Sequence, residues 1–380
     1  MLPSPSPASR RQFLLSLGAA APAAWISPAK AAPDTRAHGL RTISHLPEIY
    51  HGWPTVARRR NGELLLVCSG GREQHVCPFG RVDLMRSTDQ GETWSFPRTV
   101  LDGPIDDRDA GVLETAKGSI LITTFTSLAY EAGLESKSGA VARRWAAAHQ
   151  RVDAAGRQTA LGTWMTRSTD GGVSFSARYR VPVNSPHGPI QLEDGRLLYA
   201  GKALWTEQNR VGVCESHDDG LTWSWLAEIP TRAGDRHQDY HELHAVEAEG
   251  GRLIVQIRNH NTKNSRETLQ CESEDGGKTW TEPHPIGVWG LPSHLLRLGD
   301  GRLLMSYGHR RKPFGNQARV SEDGGETWSP PITISDDGIG GDLGYPSTVE
   351  IGDGELLTIW YERTAGSPKA VLRQARWQLK

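Results

Sequence analysis

The sequence predicts an all-β chain, a six-bladed β-propeller of four-stranded antiparallel blades, and three observations carry that prediction. First, six segments share a turn that ends in glycine and runs directly into an apolar stretch: "RNGELLLV" at Gly62, "AKGSILIT" at Gly118, "EDGRLLYA" at Gly195, "EGGRLIVQ" at Gly251, "GDGRLLMS" at Gly301 and "GDGELLTI" at Gly354. A tight turn entering a buried strand has this form, and six of them imply six sheets. Second, these glycines recur at intervals of 56, 77, 56, 50 and 53 residues, close to the length of one four-stranded blade. Third, an eight-residue box follows each of the first five hairpins: "STDQGETW" from Ser87, "STDGGVSF" from Ser168, "SHDDGLTW" from Ser216, "SEDGGKTW" from Ser273 and "SEDGGETW" from Ser321.

The delay from hairpin to box places each box in the turn between the last two strands of its blade. There the Asp accepts backbone N–H groups, the Gly supplies a conformation other residues resist, and the Trp or Phe packs beneath. The boxes are therefore expected to be folding devices, with Asp89, Asp170, Asp218, Asp275 and Asp323 on one rim, away from the central funnel. The sixth hairpin has no box, and the sixth blade is expected to close the ring with the segment near Ile43 to Pro54, hiding the sheet edges. The long 77-residue interval holds a stretch from Ser127 to Gly156 rich in Ala, Arg and Glu, which predicts a helical insertion in blade two, either lining the top of the ring or standing as a surface hairpin.

A chain of 380 residues is long for one compact core but suits one domain built of repeated modules. Its 43 basic and 44 acidic residues nearly cancel, and no Lys/Arg-rich run follows the N-terminus, which argues against a nucleic-acid partner and leaves a small or glycan-like one. Residues 1–31 read as an export signal of the twin-arginine type: Arg10 and Arg11, an apolar stretch through Ala24, and a small-residue site ending at Ala31. The expected organisation is this signal peptide followed by a single propeller over residues 32–380, periplasmic or secreted, with no membrane span. Four cysteines are too few for a disulfide scaffold; Cys68 and Cys77 flank one loop, as a bridge or as buried thiols. Neither a phosphate loop nor a metal motif is present, since "HELH" (His241 to His244) has the wrong spacing for a zinc helix and precedes a strand, so no cofactor is expected.

The boxes and hairpins together resemble the sialidase (neuraminidase) superfamily of Asp-box propellers, over nearly all of the chain after the signal. The resemblance implies where the chemistry lies. "HELHAVEAEGGRLIVQIRNH" sets Glu242 before a blade-four strand and Arg258 at the end of the next, matching the family's Glu that serves the nucleophile and an Arg that binds the substrate carboxylate. "GDLGYPSTVEI" sets Tyr345 where the family has its nucleophilic tyrosine. A phenol suits an anomeric carbon that already bears a carboxylate, because an anionic nucleophile is repelled there, but its ordinary pKa of about 10 requires a base such as Glu242. Arg310 or Arg311 falls in the region of a further carboxylate-binding arginine, with Arg319 nearer the box, and Asp109 in "DDRDAGVLE" matches an Asp at the mouth of the pocket.

Two departures qualify the match. The family opens blade one with an Arg in an R-I-P motif, whereas this chain reads "HGWPTV" with Gly52 at that position. Where the family has an acid/base Asp in the blade-one loop, this chain offers Arg72, Glu73 and His75 in "GGREQHVCPFG". His75 is near the right place to protonate a leaving group, Glu73 can do so if burial raises its pKa, and Arg72 is a replacement cation for the lost arginine. The implied activity is a retaining exo-glycosidase acting on a terminal acidic sugar of a glycan. The alternatives are a non-catalytic carbohydrate-binding propeller, a polysaccharide lyase or another glycosidase on the same fold.

Overall fold

In the computed structural model of the chain, residues 37–262, 267–352 and 354–379 are described, and they form six four-stranded antiparallel sheets. The export signal expected at residues 1–31 lies outside the described residues. Blade one consists of strands Tyr50–Arg58, Leu64–Arg72, Arg81–Ser87 and Arg98–Leu101, and blades two to five follow over residues 106–180, 190–228, 240–289 and 293–338. Blade six joins Leu343–Gly352, Glu355–Glu362 and Val371–Gln378 to an outer strand from the other end of the chain, His38–Thr42. The ring thus closes as expected in kind, but with an earlier segment than Ile43 to Pro54. The reason is burial: Tyr50–Arg58 is buried over its first seven residues and belongs at the axis, whereas His38–Thr42 is largely exposed and suits an edge.

All six hairpin glycines adopt φ between 72° and 89°, the left-handed turn geometry that glycine adopts most readily. The boxes occupy the turn between third and fourth strands in blades one to five, and their carboxylates are spent locally. In the first, the Ser87 hydroxyl (2.7 Å) and the Thr93 N–H (2.9 Å) donate to Asp89 Oδ1, and the Thr93 hydroxyl donates to Oδ2. Asp170, Asp218, Asp275 and Asp323 repeat the pattern. The boxes also abut the preceding blade: Trp94 Nε1 donates to Gln374 Oε1 at 2.8 Å, and a Cβ added to Gly325 would lie 2.4 Å from Ile254 Cδ1.

Because strands alternate in direction, hairpins and boxes share one rim, while the starts of the inner strands and the second-to-third strand connections share the opposite mouth. Apolar clusters fill the space between blades, such as Leu64, Leu66, Leu357 and Ile359 between blades one and six. Each such side chain contributes roughly 1.5–3 kcal/mol when fully buried. All four cysteines are buried and free, Cys68 and Cys77 included. The insertion between Ile120–Ser127 and Thr163–Ser168 forms helices Gly139–Gln150 and Ala154–Ala160, the second capped by Asp153, whose Oδ1 accepts from the Gly156 N–H. It sits at the mouth and not as a free surface hairpin, because Trp145, only 1 % exposed, packs with Tyr130 and with Cys77 of the blade-one loop.

Candidate active site at the propeller mouth

Four of the six inner strands bend at the same place. Trp53, Asp109, Glu242 and Tyr345 adopt φ of 53°, 48°, 44° and 53°, and the pairing register slips beside each one. A non-glycine residue held at positive φ costs about 1–3 kcal/mol, and a bulge re-aims its side chain, so four such residues around one axis mark a site that the fold is strained to build.

Three of the residues expected from sequence meet there. The Tyr345 hydroxyl donates to Glu242 Oε1 at 2.5 Å, while Arg258 Nη1 donates to Glu242 Oε2 and, at 3.0 Å, to the Tyr345 oxygen. Burial favours a neutral Glu242, but the Arg258 charge, the bonds from Tyr345 and Arg258, and Arg310 together hold the carboxyl well below its usual range. Tyr345 moves the other way: burial, then the Glu242 charge, push its phenol well above the ordinary value against the pull of Arg258. The pair is thus a neutral phenol bonded to an ionised carboxylate, arranged for the oxygen to attack an electrophile as the carboxylate takes its proton. Arg310 joins them, its Nε donating to Leu343 O at 3.0 Å and its guanidinium carbon 5.8 Å from the centre of the Tyr345 ring.

Asp109 is 6 % exposed, and burial followed by the Glu242 charge raises its carboxyl pKa, with Arg108, Arg72 and Arg258 opposing. His75 reaches the same wall of the mouth: its ring lies 5.0 Å from that of Trp53, which in turn lies 6.4 Å from Tyr345. His75 Nδ1 is 2.9 Å from Asp342 Oδ1 and 2.8 Å from the Tyr50 oxygen, and Tyr50 and Tyr361 both donate to Asp342. Although burial works to raise the Asp342 pKa, the bond and charge of His75 and the two phenols hold it down. An ionised Asp342 orients the His75 Nδ1–H and leaves Nε2 as the nitrogen free to carry a proton in or out.

Three expected residues take other parts. Arg72 has a fully buried side chain, bonded bidentately to Asp106 at 2.6 and 2.9 Å and further to Ser69, Asp107 O and His75 O, so it supports the loop and is not free to grip a ligand. Glu73 accepts from Arg144 (2.7 Å) and Trp145 Nε1 (2.9 Å) of the insertion helix. Burial favours its protonation, but those bonds and the Arg144 charge win and lower its pKa, the opposite of what a general acid needs. Arg311 is exposed and stacks 3.8 Å over Trp289, leaving Arg310 as the arginine at the site. Arg319 bonds Tyr307 and Ser329 O within its blade.

Sequence reasoning missed Trp53, Asp342, Tyr50 and Tyr361, and gave Arg108 no role. Trp53, not Gly52, stands at the strained position of blade one, with the Arg72 and Arg108 guanidiniums 4.9 and 4.5 Å from its ring centre. Among the described residues Arg108 Nε finds no acceptor, and the nearest carboxylate, Asp106, is 4.0 Å from its guanidinium. The signal was an internal alignment of the inner strands: three residues before Trp53, Asp109, Glu242 and Tyr345 stand Tyr50, Asp106, Asp239 and Asp342. Among the described residues no group of three or more His, Cys, Asp or Glu is placed to hold a metal ion, and no helix is long and apolar enough to cross a membrane.

Six four-stranded blades, five Asp boxes and a mouth built from bulged inner strands define a BNR propeller of the sialidase superfamily. The BNR repeat-like domain model matches residues 143–358 and the BNR/Asp-box repeat model residues 85–96, so the chain belongs to the BNR repeat-like domain family. It is similar to a sialidase of Bacteroides fragilis (strain YCH46), 29 % identical over 227 residues that cover 56 % of this chain and 39 % of that protein. The chain therefore spans well under half the length of that relative. Among solved structures, a protein of unknown function from Dyadobacter fermentans DSM 18053 is 24 % identical with a TM-score of 0.76, covering 92 % of this chain and 100 % of its own. The NanB sialidase of Streptococcus pneumoniae is 14 % identical with a TM-score of 0.65, covering 90 % and 70 %. The two structures share the fold.

Proposed function

We propose that the protein is a retaining exo-glycosidase of sialidase type that releases a terminal acidic sugar from glycans. One observation carries the reading: a neutral Tyr345 phenol donates to an ionised Glu242 under Arg258, with both Tyr345 and Glu242 on strained inner-strand positions. A binding protein has no need of a phenol bonded to a carboxylate in a strained backbone, which is why an enzyme is favoured over a carbohydrate-binding propeller. The sialidase relative supports the substrate class.

In the first half-reaction the Tyr345 oxygen bonds to the anomeric carbon as Glu242 accepts the phenolic proton, and the glycosidic bond breaks as His75 Nε2 protonates the leaving oxygen. Asp342 steadies the imidazolium that carries this proton. In the second, water attacks the glycosyl–tyrosine, His75 takes the water proton, and the departing phenolate recovers its own proton from Glu242. Two inversions give net retention. Arg258 and Arg310 bind the sugar carboxylate, and Arg108, held on the Trp53 face, supplies the cation that blade one lacks. Asp109, whose pKa burial and the Glu242 charge raise to about 7, donates a hydrogen bond to the sugar in its protonated form. The leader at residues 1–31 delivers the chain outside the cytoplasm, where glycans are met.

The test is to incubate the protein with a panel of sialosides, other nonulosonic acid glycosides and glucuronides, and to identify the released sugar. Release of one acidic monosaccharide, abolished in Tyr345→Phe and Glu242→Gln, is expected. Release of an unsaturated sugar would replace this reading with a lyase, and binding without release would replace it with a lectin.

A further inference from the structure

At the box-side end of the axis, opposite Tyr345, all six inner strands surround a chamber of about 530 Å³. Its inner wall includes His187, His244 and His294, each at least nine-tenths buried, with ring centres 4.7–5.3 Å apart. None of them belongs to the machinery at the mouth. Arg58, Arg59 and Arg60 line the chamber against a single acid, Glu350. Arg59 is taken up by Glu63 and Glu114, and Glu350 accepts the Gly299 N–H, whereas the exposed Arg58 and Arg60 side chains have no carboxylate partner among the described residues.

The tautomers follow from the bonds. His244 Nδ1 accepts the Leu295 N–H at 2.9 Å and His294 Nδ1 accepts the Thr348 N–H at 3.4 Å, so in each neutral ring the proton sits on Nε2. The Thr55 hydroxyl donates to Pro186 O, so its contact with His187 Nδ1 at 3.3 Å requires His187 to be the donor, leaving His187 Nε2 a bare acceptor. That nitrogen is buried and has no hydrogen-bond partner among the described residues. An orphaned buried acceptor is costly to the fold, and a ligand that donates to it removes that cost. Two N–H donors also disqualify the trio as a metal site, since a ligating nitrogen must present a lone pair.

Two donors and one acceptor in a chamber with unpaired cations define a complementary molecule: an oxyanion to accept from the donors and Arg58, the nearer of the two along the inner strand, and a hydroxyl to donate to His187. We propose that this axial chamber is a second binding site, distinct from the mouth, for a small hydroxy carboxylic acid. The carboxylate receives the Nε2–H groups of His244 and His294 and the charge of Arg58, and the adjacent hydroxyl donates to His187 Nε2.

Calorimetric titration of the whole chain with lactate, acetate and glycerol tests this, with thermal unfolding of each variant as a check on folding. Lactate is expected to bind saturably with Kd on the order of 1 mM or tighter, acetate about tenfold more weakly, and glycerol not at all. Arg58→Ala, a surface change, is expected to weaken lactate and acetate alike, His187→Phe to remove the preference for lactate, and Tyr345→Phe to leave lactate binding unchanged. Absence of saturable lactate binding means that water alone fills the chamber, and this overturns the proposal. So does equal affinity for lactate and acetate, or full affinity in a folded Arg58→Ala. Loss of binding in Tyr345→Phe would assign the ligand to the mouth instead.

Discussion

Replacing Asp109 by asparagine is expected to stabilise the protein while keeping a hydrogen-bond donor at the mouth. Asn tolerates positive φ as Asp does, so the exchange at φ 48° leaves backbone strain nearly constant and isolates the carboxyl charge. That carboxyl is 6 % exposed and its pKa is raised by burial and by Glu242, which means that ionisation is harder in the fold than in the unfolded chain. For an acid with a raised folded pKa, the cost to stability begins as pH rises through the unfolded value, near 3.9, and is complete above the folded one. A tenfold change in an ionisation equilibrium is worth about 1.4 kcal/mol, so a carboxyl raised to about 7, with ionisation made roughly a hundred- to a thousandfold harder by the fold, leaves Asp109→Asn about 3–4 kcal/mol more stable near neutral pH. Thermal unfolding followed by circular dichroism at about pH 5 and about pH 8 should show the variant a few degrees higher, by a wider margin at the higher pH. A variant melting at or below wild type at both values, or a margin that narrows as pH rises, would show that the Asp109 charge is not what the fold resists. On the proposed substrates the same variant should keep most of its kcat/KM, since the Asn amide N–H can donate where the protonated carboxyl did.

His75→Ala should cost about 10²–10⁴-fold in kcat/KM on a natural glycoside but little on an activated aryl glycoside, and Asp342→Asn should show the same leaving-group dependence more mildly, read from parallel assays on both substrates. Gly325→Ala combines φ 90° with a clash against Ile254 and should destabilise by about 2–4 kcal/mol, against about 1–2 for Gly301→Ala, which has nearly the same φ but only Glu249 Oε2 at 3.3 Å; chemical denaturation compares them. Arg10→Lys with Arg11→Lys should leave precursor in the cytoplasm, as cell fractionation and blotting would show, and unchanged export would remove the basis for twin-arginine targeting.

The scaffold was legible because its signals are local. A glycine at φ near 80°, an Asp bonded to a Thr four residues on, and an apolar run all announce themselves within a few positions of sequence. Tyr345, Glu242 and Arg258 were legible for a different reason, through the family resemblance, and lie together. What local pattern does not carry is partnership across blades. Arg72 was read as a free cation, yet Asp106, 34 positions away, holds it. Glu73 was read as an acid, yet the insertion helix supplies Arg144 and Trp145 to keep it ionised. Asp342 was overlooked because its partner His75 lies 267 positions earlier, and the closing strand was placed too late because exposure, which decides edge against axis, is a property of the ring.

The proposed mechanism rests on a covalent bond between the Tyr345 oxygen and the sugar. A fluorinated acidic glycoside with a good leaving group slows hydrolysis of the glycosyl–enzyme and allows it to accumulate, and mass spectrometry of the digested protein then locates the attachment. One glycosyl unit on the peptide containing Tyr345, absent in Tyr345→Phe, is the expected result. Release of the leaving group with Tyr345 unmodified, or with the label on another residue, would exclude Tyr345 as the nucleophile.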